Sequence, residues 1–106
     1  MGGQVLAPPV SSFTSRRRLN ALRRVLHKRG WATRRRYEAS PPLLLVFSAQ
    51  APHIGESVTV VRTPHEPWFL ACSGVYLAPC ADSEQAAEEV GLLLTPWVAA
   101  ALGSSE

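Results

Sequence analysis

Acidic side chains are missing from the first third of this 106-residue chain: residues 1–37 hold ten Lys and Arg and no Asp or Glu. Residues 38–106 carry all eight acids and a single base, Arg62, so the two parts stand at +10 and −7 and sum to the net +3. Lysine is almost absent too, with Lys28 alone beside ten Arg; together with fourteen Ala this is the usage of a GC-rich genome rather than selection for guanidinium chemistry. Cysteine occurs twice, as Cys72 and Cys80, and the pair is no C-x-x-C. Outside the first helix, which holds His27, the soft ligands His53, His65, Cys72 and Cys80 are spaced H-x11-H-x6-C-x7-C. Zinc sites usually hold two ligands two to four residues apart, so no metal and no cofactor is predicted. No apolar run approaches the ~18–20 residues of a membrane span. No basic-then-apolar leader opens the chain, and Leu6 stands where a myristoylation signal has Ser or Thr. Free, dispensable thiols in a reducing cytosol are the expectation. The Arg-rich, acid-free stretch 1–36 also has the composition of a mitochondrial transit peptide, but it makes a good structural helix, and that reading is preferred.

What is present is a globular composition, 46% hydrophobic and 18% charged, on a chain of one-domain size. Area scaling gives it roughly 5,800 Å² of folded surface and one modest core. A disordered lead-in is predicted at 1–14, with Pro8, Pro9 and four Gly and Ser, and one domain at 15–103. Ser15 can cap a helix over 16–29, whose Leu19, Leu22, Val25 and Leu26 share a stripe. Gly30 supplies a left-handed stop, and Trp31 is placed to fold back on Leu26.

Strands follow at 32–38, 43–48, 57–62 and 68–73, the last with an extension through Val75-Tyr76-Leu77 after a bend at Gly74. Residues 49–56, with Pro52 and Gly55, read as a loop. Asp82, with Gln85 three residues on, opens a last helix with Ala86, Val90, Leu93, Leu94 and Trp97 on its apolar stripe. Pro96 is expected to kink or end it near Leu94. Turns this short allow only antiparallel pairing. The economical fold is a two-layer α+β sandwich: a four-stranded antiparallel meander with both helices on one face, order αββββα.

Several of these segments stand together in a recognisable order: Arg29-Gly30-Trp31-Ala32-Thr33, Pro42-Leu43-Leu44-Leu45-Val46, Ala51-Pro52 with Glu56 to Val60, Pro67-Trp68-Phe69-Leu70, and Ala78-Pro79 with Asp82. Over residues 16–96 the chain resembles a group of small uncharacterised actinobacterial α+β proteins. Those carry a leucine-rich helix ending in a Gly-aromatic pair, a Gly-Trp-Trp-Phe strand and a terminal helix. The resemblance implies a cytosolic protein of helix, four strands and helix, and brings no activity with it.

Catalytic signals are as sparse as metal signals. There is no G-x-S-x-G elbow and no Gly-rich phosphate loop. Glu88 and Glu89 are adjacent on a helix and point apart. Cys72 reads as mid-strand among small neighbours, the setting of an inert thiol, and that reading is preferred over a Cys72 or Cys80 nucleophile assembled in space with His65. The chain is therefore read as no enzyme. Trp68 and Phe69 are consecutive on a strand and must point to opposite faces. With helices on one face only, one of the two is left as a partner contact on an open sheet. The function predicted is a non-catalytic, cytoplasmic binding module that dimerises or holds an unknown protein through that face, with no membrane partner. The alternative is nucleic-acid association: Arg16, Arg17, Arg23, Arg24 and Lys28 share the helix face away from the leucines, and Arg34 and Arg36 one face of the next strand. Their charge is otherwise neutralised against the acidic part of the chain. Only Trp31 and Tyr37 interleave with them, fewer aromatics than an RNA-binding sheet presents.

Overall fold

A computed structural model describes residues 10–103. Helix α1 spans Ser12–Lys28, strands β1–β5 span Ala32–Arg36, Leu43–Ser48, Ala51–Arg62, Pro67–Ala71 and Tyr76–Pro79, and helix α2 spans Ser83–Gly103. The fold is α+β with an open antiparallel sheet in the order β1-β2-β3-β4-β5.

The helix starts earlier than the Ser15 cap predicts. Ser11 caps it, its Oγ accepting from the Thr14 amide at 3.1 Å, while Ser15 is buried in the first turns beside Leu19, Leu22 and Leu26. Residues 12–14 of the expected lead-in are thus helical, and 1–9 lie outside the described residues. At the other end Gly30 adopts φ +92°. Its amide bonds the His27 carbonyl at 3.1 Å, and the Trp31 amide the Leu26 carbonyl at 3.0 Å, which is the paired closure of a Schellman stop.

Two further differences enlarge the sheet. The Gly74 bend, at φ +105°, is a full reversal: the Gly74 amide bonds the Ala71 carbonyl and the Ala71 amide the Val75 carbonyl, each at 2.8 Å. Residues 76–79 therefore return as a fifth strand instead of extending the fourth. The 49–56 loop shrinks to a turn at Ala49-Gln50, because Ala51 already pairs with Ser48. Pro52, His53 and Ile54 bulge out between the Ser48–Ala51 and Phe47–Gly55 pairs. A proline is tolerated there because a bulge leaves ladder positions unpaired.

Alternation decides what each strand buries. Leu44 and Val46, Val58 and Val60, Phe69 and Ala71, and Ala78 form one core with Leu19, Leu22 and Leu26 of α1 and Ala86, Ala87, Val90 and Leu94 of α2. Both helices thus cover the same sheet face. Asp82 opens α2, its Oδ1 accepting from the Gln85 amide at 3.0 Å. The Gln85 side chain turns away to Glu89 at 2.7 Å instead of completing the capping box. Contrary to the expected break, α2 runs through Pro96. The missing bond falls on the Leu92 carbonyl, and Leu92 is 63% exposed, so the interruption faces solvent. Residues 95–103 contain no buried side chain, and the molecule measures 57 × 30 × 25 Å.

Candidate interaction surface

The odd-numbered side chains of β2 and the even-numbered ones of β4 point away from the helices. Val60 pairs with Phe69, and Val61 with Trp68. Phe69 is wholly buried in the core, so of the two candidates it is the inward one. Trp68 is the outward member. It is half-buried and meets Tyr76 edge-on, ring centroids 6.2 Å apart. Around them the face carries Leu43, Leu45 and Phe47 from β2, Val61 from β3 and Leu70 from β4, none buried. Tyr76 is 57% exposed. Among the described residues both helices pack on the opposite face.

The basic side chains divide between the two faces. Arg35 is paired with Leu44 and Thr33 with Val46, which turns them toward α1, where Thr33 Oγ1 lies 2.7 Å from His27 Nε2. Arg34 and Arg36 are paired with Leu45 and Leu43 and stand on the open face. The Arg34 guanidinium sits 5.7 Å from the Phe47 ring centroid. The strand arginines Arg34 and Arg36 therefore lie across the sheet from the arginines of α1. The helix set is itself uneven. Arg16 Nη2 donates to the Tyr37 carbonyl at 3.5 Å, and Arg23 is half-buried. Arg17, Arg24 and Lys28 are exposed opposite the leucine stripe. Arg29 bonds Glu84 at 3.1 Å, an ion pair that joins the basic and acidic parts of the chain.

The remaining reactive groups are quiet. Cys80 is a free thiol at 2% exposure. Burial pushes its pKa up to about 12, against the pull of Arg18 and with a further push from Glu66. Cys72 is exposed in the turn after β4, not buried mid-strand as its neighbours predict. Its pKa is raised as well, by partial burial and then by Glu56. Both shifts favour the thiol over the thiolate, the form a nucleophile needs. Tyr37, whose hydroxyl donates to Asn20 Oδ1 at 2.7 Å, also titrates above its usual value, through burial outweighing Arg35 and Arg23. No group of three or more His, Cys, Asp or Glu gathers among the described residues.

A second feature lies at the far half of α2. A cleft of about 320 Å³ opens between it and the β3 bulge, lined by His53, Ile54, Glu56, Ser73, Leu93 and Trp97. Trp97 is 67% exposed and Leu102 48%. By length and composition alone α2 is apolar enough to cross a membrane, with mean hydropathy 1.2 over its best window, of which 22% is buried. Its Ala86, Ala87, Val90 and Leu94 are nevertheless core residues. The sequence reading missed this surface because Trp97 falls on the apolar stripe at helical spacing; its exposure follows only from where the sheet ends.

No family model matches the chain, and comparison with curated proteins and with solved structures returns no match.

Proposed function

We propose that this chain is a small non-catalytic binding module that works through the open face of its sheet. One observation carries the reading: the sheet is apolar on both sides but covered by its helices on only one. Outward Leu43, Leu45 and Phe47 on one side of Ser57 and Thr59, and Val61, Trp68 and Leu70 on the other, leave apolar surface with a basic margin at Arg34 and Arg36. Exposed apolar surface of this kind marks association sites, and an aromatic with an amphipathic ring is the usual anchor. The test is Trp68→Ser. Lost contact on an already half-exposed side chain leaves the fold intact, while a protein captured from the native host by the wild-type chain is released by the variant. Equal capture by both chains would refute the reading.

A further inference from the structure

We infer that the occupant of the open face is a second copy of this chain, related by a two-fold axis parallel to β3, so that Arg36 of each copy lies over Tyr76 of the other. The inference rests on the open-face reading above and adds the partner and its orientation.

The edges of the sheet exclude the commonest alternative. β1 is an edge carrying three exposed arginines, and β5 is a four-residue edge ending at Pro79. Charged and proline-ended edges resist strand addition. Association is left to the face.

The face is polar in an ordered way from edge to edge. It runs from Arg34 and Arg36 on β1, through Leu43, Leu45 and Phe47 on β2 and Ser57, Val61 and the buried Thr59, whose Oγ1 donates to the Pro42 carbonyl, on β3, to Trp68, Leu70 and Tyr76 on β4 and β5. One margin is cationic and the other aromatic, and none of these outward positions is an acid. Two isologous stackings keep the strands of the two copies aligned. An axis across the strands lays β1 on β1 and brings four guanidinium groups together with nothing to neutralise them. An axis along the strands lays β1 over β5 and puts the cations against the aromatic margin, an attractive arrangement. Within the chain the same pairing is already made by Arg34 on Phe47.

Register sharpens the match. Arg35, Leu44 and Val58 pair in a row, and one residue on, Thr59, Leu70 and Tyr76 pair in a row. Arg36 and Tyr76 therefore stand at the same height on opposite edges. Rotation about an axis along the strands preserves height, so each Arg36 meets the partner's Tyr76, with Trp68 behind it. Five strands about 4.8 Å apart and about five residues of 3.4 Å give roughly 400 Å² of projected face per copy. A stable complex buries about 800 Å² per partner, so the dimer is weak and concentration-dependent.

Sedimentation equilibrium on the full chain tests this, with circular dichroism and melting temperature as fold controls. A reversible, concentration-dependent monomer–dimer equilibrium is expected. Trp68→Ser and Arg36→Glu should each weaken it at least tenfold with unchanged melting. Tyr76→Arg added to Arg36→Glu should restore it. Positions 36 and 76 are about 19 Å apart within one sheet, four strand spacings, so that rescue can only act between copies. A chain monomeric to millimolar concentration overturns the second copy, and the open-face reading then stands or falls on the Trp68→Ser capture. A dimer lost in Trp68→Ser but not rescued by Tyr76→Arg overturns the axis and keeps the face. A dimer that survives Trp68→Ser and disappears in Trp97→Ser moves self-association to α2 and overturns the inference, with the face again decided by capture.

Discussion

At the scale of single residues, the clearest demands are made by Gly30 and Cys80. A Cβ on Gly30 would meet nothing within 4 Å, so its requirement is conformational, not steric. Gly30→Val should cost ~1–2 kcal/mol, because a β-branched residue resists positive φ; an unchanged thermal midpoint would show the stop does not need it. Cys80 makes a pH prediction. Its thiol keeps its proton in the fold up to about 12, while the unfolded chain loses it near 8.5–9. The folded pKa is the higher one for an acid, so its contribution is present below about pH 9 and is lost as pH rises toward 12, at about 1.4 kcal/mol per unit. Denaturant titrations between pH 8 and 11 should show this fall, and Cys80→Ala should flatten it by one proton's worth. The thiol is thus buried and not freely replaceable by Ser, whose hydroxyl would need a partner in the core.

Elements were legible where a local rule writes them. Gly30-Trp31 announces its stop, and Asp82 its cap. What local rules missed depends on pairing. Pro52 and Gly55 look like loop residues, yet the Ser48–Ala51 and Phe47–Gly55 pairs draw the whole segment into β3, with Pro52 on the bulge. Gly74 looks like a bend, yet two hydrogen bonds at Ala71 make it a reversal. The alternation of Trp68 and Phe69 was plain in the sequence; which of them faces out was not, because only the pairing of Phe69 with Val60 against the leucines of α1 decides it. The same holds for Arg34 and Arg36, legible as one face but not as the face away from α1. Gly55 gives a test at this scale. A Cβ there would stand 2.7 Å from the Val46 carbonyl oxygen and 3.2 Å from Phe47 Cβ. Gly55→Ala should therefore push β3 off β2 and destabilise the chain by about 1–3 kcal/mol, as overpacking does, readable as faster amide exchange at Val46 and Phe47.

For the whole molecule the contest is between an apolar sheet and a basic helix. If phosphate contacts were the working interaction, the outward Arg17, Arg24 and Lys28 would supply them. Each neutralised phosphate contributes about −0.9 to the salt slope on duplex DNA, so three contacts give roughly −2.7. Weak, sequence-blind binding at low salt is expected from so basic a half, vanishing near physiological ionic strength, where the Debye length is about 8 Å. Submicromolar binding to a defined nucleic acid at that salt, lost in the Arg17→Ala, Arg24→Ala double variant, would favour the helix over the sheet. The far half of α2 bears on how any of this is measured. Residues 83–94 supply the buried side chains of α2, whereas 95–103 supply none. Ranking variants by thermal midpoint would report on the first stretch and be blind to the second. Changes in that surface-lying stretch would then drift unnoticed through any stability-based selection.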